Sequence, residues 1–331
     1  MDTVKIGMIG CGGIGKHHSN YLRKIPGAAI TAASDVSDTL LDAYKKEYGA
    51  AGYKDYNDML AKETLDAVLI CLPTFLHFDA VKAAAGKKIA IFCEKPLTRN
   101  FSDAEKIRDL VAKEKLLFQV GFVRRFDNFW GKAKEIVDSG VLGSPVVWRH
   151  TAVGAGPASP WFLDKERGGG PIIDGMIHNF DFASLMFGKS VKAVSGLTKF
   201  KQSTSLDTGS VWLEYERGDV MANFWSWGLA EKVSSFGGMD IMGPKGVLLF
   251  SGSFDAKEFE GKFDAEKEAI FVLRTAGGKN EMITYKKNDM FHDQMVHFTD
   301  CVRNNKEPFV TVANSLQGLH DSLAALQELS L

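Results

Sequence analysis

The first 122 residues alternate short apolar segments with segments of helical periodicity, and this alternation constrains the fold more than any other feature of the chain. Five apolar segments predict buried strands: VKIGMI, AAITAASD, DAVLICL, KIAIFC and LLFQVGF. The helices predicted around them are Gly13–Ile25, Ser37–Tyr48, Phe78–Ala85 and Ser102–Lys115. Alternating strands and helices favour an α/β fold, in which helices cover both faces of a parallel sheet.

The first predicted strand runs into a glycine-rich turn with the spacing G-x-G-x-x-G, formed by Gly10, Cys11, Gly12, Gly13, Ile14 and Gly15. Gly10 permits a tight turn, Gly12 lets the backbone approach a pyrophosphate, and Gly15 lets the next helix pack close to the strand. The start of that helix offers N–H groups and the positive end of its dipole to an anion. The turn therefore predicts a dinucleotide site.

Asp35 ends the second predicted strand, at the position where a carboxylate accepts hydrogen bonds from the adenosine ribose diol. The same carboxylate would repel a 2′-phosphate, and no arginine follows Asp35 to bind one, so we expect NAD rather than NADP. The alternative role for Asp35 is that of a helix N-cap, which Ser37 or Asp38 could fill equally well.

The second half of the chain is rich in β-strand patterns separated by tight turns. Residues 209–227 alternate in polarity and turn at Arg217-Gly218-Asp219, which indicates an antiparallel hairpin. We place the domain boundary between residues 122 and 123, and the C-terminal helix could pack back on the first domain. One apolar sheet face is expected to meet another subunit in a dimer or tetramer, with four candidates: Trp212, Phe224, Trp225 and Trp227.

Composition narrows the class of protein and its partners. The 331 residues include 40 Lys and Arg against 41 Asp and Glu, a net charge of −1, which argues against nucleic acid or an anionic membrane as a partner. No apolar run approaches the roughly 18 residues of a spanning helix, and no signal peptide is visible. The cysteines, none in a C-x-x-C pair, suit a reducing cytoplasm: Cys11, Cys71, Cys93 and Cys301.

Four further segments carry a family resemblance: CLPTFLHFDAVKAAAGKK, CEKPLTRN, GGGPIIDGMIHNFDF and VTVANSLQGLHDSLAALQ. With them the chain resembles the Gfo/Idh/MocA family of sugar and cyclitol dehydrogenases over essentially its whole length. The segment GFVRRFDNFWGKAKEIVDSGVLG is similar to the inositol dehydrogenase branch. The resemblance implies a Rossmann domain, then an α/β domain with a large, mainly antiparallel open sheet, with a nicotinamide held between them.

The resemblance also implies catalysis by Lys95, Asp174 and His178. Oxidation of a secondary alcohol requires loss of the hydroxyl proton, and histidine has the unperturbed pKa best suited to accept it near neutral pH. His178 is therefore expected to act as general acid and base, with Asp174 one helical turn earlier holding the imidazole or a neighbouring substrate hydroxyl. Lys95 would donate to the reacting oxygen, and Pro96 would fix the chain after it. Asp174 could instead cap a helix that begins there.

The remaining predicted contacts follow from the same motifs. Cofactor contacts besides the glycine turn and Asp35 are expected from Leu72, Pro73, Thr74, His77, Glu94 and Lys95. Substrate contacts are expected from Lys95, Arg124, Trp161, Asp174 and His178. Many relatives have Trp-Arg where this chain has Trp161-Phe162, and Arg167 is one possible substitute. His17 and His18 are expected to pack or to face solvent. Arg125 is expected to lie on the surface or in an ion pair, and Asp181 is a helix-face acid that could pair.

These features favour an NAD-dependent dehydrogenase that oxidises a ring hydroxyl of a cyclitol or sugar. Two alternatives share the motifs: a glycosidase that retains NAD and oxidises its substrate only transiently, and a cofactor-binding sensor without turnover. A metal centre at Asp174, His178 and Asp181 is a further alternative, but it lacks a second nearby histidine and leaves the glycine turn unexplained. No metal is therefore expected.

Overall fold

The computed structural model describes residues 3–201, 203–278 and 280–330 of the chain. These residues divide into two compact units. The first unit runs to Val123 and includes the later segment Asp289–Leu316. The second unit contains Arg124–Asn288 and the residues from Gln317 onward.

In its described part, the first unit contains a parallel sheet of six strands: β1 (Val4–Ile9), β2 (Ala28–Ser34), β3 (Ala51–Tyr53), β4 (Ala67–Ile70), β5 (Ala90–Cys93) and β6 (Phe118–Val120). The strand order is β3-β2-β1-β4-β5-β6. The order reverses direction at β1 and β4, and open α/β sheets bind ligands at such a point, beyond the carboxyl ends of the strands. The α/β fold predicted from the alternating pattern is confirmed.

Five helices accompany these strands in the described residues: α1 (Gly13–Leu22), α2 (Asp38–Tyr48), α3 (Tyr56–Lys62), α4 (His77–Ala85) and α5 (Phe101–Glu114). Short polar side chains begin several of them by accepting a backbone N–H, as Ser37 does for α2 and Asn100 for α5. The pattern missed β3 and α3, so the strands predicted as third, fourth and fifth are β4, β5 and β6.

The second unit contains an eight-stranded sheet in the described residues: β7 (Val147–Val153), β8 (Ser190–Thr198), β9 (Thr208–Tyr215), β10 (Val220–Ser226), β11 (Phe236–Gly243), β12 (Gly246–Leu249), β13 (Glu268–Thr275) and β14 (Asn280–Lys286). Its order is β14-β13-β12-β11-β7-β10-β9-β8, and only β7 and β10 are parallel neighbours. The hairpin predicted at Arg217-Gly218-Asp219 joins β9 to β10. The mainly antiparallel sheet is thus confirmed.

Helices cover one face of this sheet: α6 (Asn128–Asp138), α7 (Gly170–Asp174) and α8 (Ile177–Phe187). The core beneath them contains buried aromatic residues such as Trp130, Trp148 and Phe180. The opposite face carries exposed apolar residues: Val194, Trp212, Phe224, Phe236 and Met242. The second unit therefore has one helix-covered face and an opposite face that is exposed and apolar around β8–β11. At β12 and β13 this opposite face is covered, because Phe254 and Phe259 pack against Leu249 and Val272.

Two of the four residues predicted on the exposed face are on it. Trp212 and Phe224 are 44% and 37% exposed, but Trp225 lies on the helix-covered face, where its ring meets Gly175 and His150. Trp227 is buried. The prediction was wrong for Trp225 because successive residues of a strand point to opposite faces, so Phe224 and Trp225 cannot share one.

Two further helices follow the sheet, α9 (Met290–Asn304) and α10 (Val312–Ala325). Helix α9 packs against α1 and β1 within the first unit, where Phe298 contacts Phe92 of β5. None of the helices in the described part of the chain has both the length and the hydrophobicity that crossing a bilayer requires.

Candidate active site

The glycine turn after β1 has the geometry that its spacing predicts. Gly10 has a φ of +94°, which favours glycine, and a Cβ there would lie 2.6 Å from the carbonyl oxygen of Cys71. A Cβ on Gly15 would lie only 2.1 Å from the carbonyl oxygen of Gly10. Helix α1 can therefore approach the turn this closely only with glycine at position 15.

The start of α1 is suited to an anion. Its N-cap is Gly12, and no side chain caps it. A Cβ placed on Gly12 or Gly13 would meet no described atom within 4 Å, so this side of the turn is open. Ile14 beside it is exposed. Uncapped N–H groups at the start of a helix, next to open space, are the usual partners of a phosphate group.

Asp35 connects the end of β2 to the glycine turn. One carboxylate oxygen accepts a hydrogen bond from Cys11 N and the other from Ser37 N, each at 2.9 Å. Ser37, and not Asp35, caps α2, so the alternative role of Asp35 as the helix cap is wrong. A carboxylate has about four acceptor positions, and Asp35 therefore retains capacity for a hydroxyl donor.

The segment after β4 contains the predicted groove residues Leu72, Pro73 and Thr74. Leu72 and Pro73 are half-buried and Thr74 is buried. His77 begins α4 and is 1% exposed, with Nδ1 2.9 Å from Pro96 O and Nε2 2.8 Å from Leu72 O. Burial lowers the pKa of His77, although the hydrogen bonds to these carbonyls oppose that effect. Each ring nitrogen of His77 therefore lies next to a backbone carbonyl, and the neutral ring donates a hydrogen bond to one of them.

Glu94 and Lys95 follow the carboxyl end of β5. Glu94 is 6% exposed, and its Oε1 lies 2.5 Å from Nε2 of the buried His18 on α1. Its Oε2 accepts a hydrogen bond from the backbone N of Lys95 at 3.0 Å. Lys95 is half-buried. The Glu94 side chain thus contacts the His18 ring on α1 and the backbone of Lys95. His18 was expected only to pack or to face solvent, so its contact with Glu94 was not predicted.

In the second unit, Asp174 is the last residue of α7 and His178 is the second residue of α8. Both are half-buried. The expectation that one helix carries both residues is wrong, because the helix is interrupted at Gly175 and Met176, where Met176 N bonds to Pro171 O five residues earlier. Asp174 also caps no helix: the N-caps of α7 and α8 are Gly169 and Met176.

Arg124 enters a polar network next to His178. Its guanidinium donates to Oδ1 of Asn179 and lies over the Trp130 ring, 5.0 Å from the centroid. The amide nitrogen of Asn179 in turn lies 3.0 Å from His150 Nδ1 and 3.0 Å from Asn223 Oδ1. These contacts join residues far apart in sequence, which is why the sequence did not indicate His150, Asn179 or Asn223.

Burial lowers the pKa of two basic groups in this network, Arg124 and His150. The pKa of Arg124 falls to about 10 because burial disfavours its charge. The pKa of His150 falls to about 3, chiefly through burial and then through the charge of Arg124, while a hydrogen bond with Asn223 opposes the fall. His150 is therefore neutral, with Nδ1 as an acceptor, near neutral pH.

Arg125 and Asp181 form a buried ion pair, each side chain being 1% exposed. The guanidinium makes two bonds to the carboxylate, at 2.7 and 2.8 Å. Burial raises the pKa of Asp181, and Arg125 opposes that rise. The pairing expected for these residues is confirmed, whereas a surface position is wrong. In the described ranges, no three His, Cys, Asp or Glu side chains are grouped closely enough to hold a metal ion.

Trp161 and Phe162 lie in a short 3₁₀ helix, Pro160–Leu163, with their rings stacked at 3.8 Å. Phe162 also meets the Trp227 ring edge-on at 6.2 Å. Arg167 is exposed, and its backbone N bonds to Asp164. Position 162 is thus occupied by an aromatic side chain that packs between two others.

Two family profiles match the chain. Residues 4–122 match GFO_IDH_MocA, described as an oxidoreductase family with an NAD-binding Rossmann fold. Residues 130–249 match the GFO/IDH/MocA C-terminal domain. The chain belongs to the Gfo/Idh/MocA family of oxidoreductases, which confirms the resemblance found in the sequence.

Individual relatives agree with this assignment. The chain is similar to the scyllo-inositol 2-dehydrogenase (NAD(+)) of Bacillus subtilis, with 27% identity over 340 residues, 97% of this chain and 93% of the relative. It is 37% identical over 192 residues to the myo-inositol 2-dehydrogenase of Thermotoga maritima, covering 58% and 57% of the two chains. A crystal structure of a 3-ketoreductase from Actinomadura kijaniata with NADP and TDP-benzene has the same fold, with a TM-score of 0.83 at 19% identity over 99% and 98% of the chains.

The contact between Gly15 and Gly10 gives a direct test of the turn. We expect Gly15→Ala to lower the Tm of the protein without cofactor by about 4 °C or more, because a methyl group cannot fit against the Gly10 carbonyl. The matched control is Gly13→Ala, where the added methyl group meets nothing within 4 Å. Scanning calorimetry measures both, and equal Tm values for the two variants would contradict the steric role of Gly15.

Proposed function

We propose that this oxidoreductase is an NAD-dependent dehydrogenase that oxidises a ring secondary hydroxyl of a cyclitol, such as an inositol, or of a sugar. The observation that carries the proposal is the open, uncapped glycine turn at the reversal of strand order, with Asp35 bonded to it and Lys95 at the end of β5. The inositol dehydrogenases among the relatives support the substrate class.

The residues of the first unit fit a dinucleotide. The backbone of Gly12, Gly13 and Ile14 would bind its pyrophosphate, and Asp35 its ribose diol. Leu72, Pro73 and Thr74 would line the groove beyond them. The cofactor, when bound, supplies the acceptor for a hydride. We propose that His77 and Glu94 contribute to this groove indirectly, by holding the backbone of the segments that line it and of Lys95. Their side chains already contact protein groups.

We propose that His178 takes the hydroxyl proton during oxidation and returns it during reduction. Lys95 donates a hydrogen bond to the same oxygen and stabilises the negative charge that develops there. Asp174 orients the imidazole or an adjacent hydroxyl, and Arg124 and Trp161 contact the rest of the ring. The half-burial of Lys95, Asp174 and His178 supports these roles, since each is accessible yet partly shielded from water.

A substrate panel tests the function directly. Inositols, aldoses, anhydrosugars and uronates are incubated with NAD or NADP, and the absorbance of the reduced nicotinamide is followed. Net reduction of the cofactor with a polyol is the expected result. Release of a sugar without net reduction would favour the NAD-retaining glycosidase, and binding without any conversion would favour a sensor.

Lys95 and His178 are tested by removing their functional groups. We expect Lys95→Ala and His178→Ala each to lower kcat by at least about 100-fold, because proton transfer and charge stabilisation are lost. NAD binding, measured by calorimetric titration, should persist in both. Lys113→Ala, which changes an exposed lysine of α5, is the control. Near-normal turnover in either variant would show that its catalytic role is misassigned.

The cofactor preference is tested at Asp35. We expect Asp35→Ala to weaken NAD binding by about tenfold, since a charge-assisted hydrogen bond to the ribose is lost. Discrimination against NADP should fall at the same time. Asp38→Ala removes an exposed carboxylate three residues later and serves as the control. An unchanged ratio of the NAD and NADP dissociation constants would refute the role of Asp35.

We further propose that the chain forms a dimer or tetramer through the exposed sheet face around Trp212 and Phe224. Light scattering should give a mass of at least two chains. Trp212→Glu combined with Phe224→Glu should shift the protein toward monomer, because two charges would be buried at the interface. Phe309→Glu changes an exposed apolar residue of the first unit and is the control. A monodisperse wild-type monomer would contradict this association.

A further inference from the structure

The segment that carries Lys95 is held on its amino side by a buried contact between His18 and Glu94. Nε2 of His18 lies 2.5 Å from Oε1 of Glu94, and the two side chains are 0% and 8% exposed. The other carboxylate oxygen of Glu94 accepts the backbone N–H of Lys95 at 3.0 Å. One carboxylate thus links helix α1, which begins at the glycine turn, to the backbone of Lys95.

The surroundings of Glu94 leave its carboxylate little freedom. A Cβ on Gly121, just after β6, would lie 2.9 Å from Glu94 Oε2 and 3.0 Å from its Cδ. The His18 ring packs against Phe92 at 5.2 Å and Phe291 at 5.9 Å between centroids. Both partners are therefore confined by packing as well as by their hydrogen bond.

The other side of Lys95 is held by a second histidine. Nδ1 of His77 lies 2.9 Å from the carbonyl oxygen of Pro96, and Nε2 lies 2.8 Å from that of Leu72. Residues 94 and 96 are thus each tied to a buried imidazole, one from α1 and one from α4. Lys95 itself, between them, is half-buried.

The charge of Glu94 depends on these contacts. Burial by itself raises the pKa of Glu94, but the hydrogen bond and charge of His18, the charge of Lys95 and the Lys95 N–H together bring it below the ordinary value. Glu94 is therefore ionised near neutral pH. Without the donor from His18, burial would favour the protonated acid or expel the side chain.

We propose that His18 and Glu94 are positioning residues for Lys95: the imidazole holds an ionised carboxylate against the Lys95 backbone. The inference rests on the proposed function only in taking Lys95 as the residue that donates to the reacting oxygen. The pair makes the position of the Lys95 segment depend on the helix that follows the glycine turn.

Three variants and one control separate positioning from general packing. His18→Phe keeps a ring but removes the donor, and Glu94→Gln keeps the shape of the side chain but removes its charge. His18→Gln retains an N–H near the position of Nε2. His17→Phe is the matched control, because the neighbouring ring packs against Tyr21 and Phe291, and His18 rather than His17 makes the hydrogen bond to Glu94.

The first measurement concerns Lys95 alone. The whole protein is treated with an acetylating ester at a fixed, mildly alkaline pH, and mass spectrometry compares the labelling of Lys95 with that of the exposed Lys113. We expect His18→Phe and Glu94→Gln to raise this ratio by about threefold or more. The phenylalanine cannot donate to Glu94, and a glutamine has one side-chain oxygen for two donors, so each variant loses a contact that holds the segment and the half-buried amine becomes more accessible. His18→Gln and His17→Phe should leave it near the wild-type value.

The second measurement is turnover with the polyol that the substrate panel identifies. kcat should fall on the order of tenfold in His18→Phe and Glu94→Gln while KM changes little, and His18→Gln should recover most of it. Folded Glu94→Gln with wild-type labelling of Lys95 would overturn the proposal even if His18→Phe fails to fold. If no polyol is converted by the wild type, the proposed function fails, while the labelling still decides whether the pair controls Lys95.

Discussion

The close contact between Gly15 and the Gly10 carbonyl is the constraint on which the first unit depends. It sets α1 directly on the turn after β1, and this placement has consequences on both sides of the turn. On one side the N–H of Cys11 reaches the carboxylate of Asp35. On the other, His18, about one helical turn after Gly15, reaches Glu94 beyond β5, which is two strands from β1 in the sheet. A single small residue thereby allows polar groups from β2, α1 and β5 to meet the same edge of the sheet.

Buried polar pairs organise the second unit in a similar way. Helix α8 carries His178, and the residues just after it, Asn179 and Asp181, bind Arg124 and Arg125 respectively. An unpaired buried charge is costly, so these two contacts fix α8 to the segment that begins the unit. The position of His178 is thus determined by arginines 54 and 53 residues earlier, rather than by its own spacing from Asp174.

The sequence predicted the fold because its signals are local. Strand-helix alternation, the glycine spacing and the hairpin at Gly218 each depend on residues a few positions apart, and β3 was missed because its three residues are not an apolar run. The site was predicted less completely. Gly175, where the helix is interrupted, lies close against the Trp225 ring, and no spacing in the sequence reveals that contact. The partner of His18 lies 76 residues away, and only the folded sheet brings it close.

The pairing of β10 has a consequence for how the second unit can vary. Phe224 points to the face that is exposed around β10, and Trp225 points to the face beneath α7 and α8. Both orientations follow from the ladders with β7 and β9. A slip of one residue in either ladder would exchange the two rings, exposing an indole that now supports the helices. Insertions or deletions within β10 would therefore disrupt both surfaces at once, whereas point substitutions can alter one surface and leave the other intact.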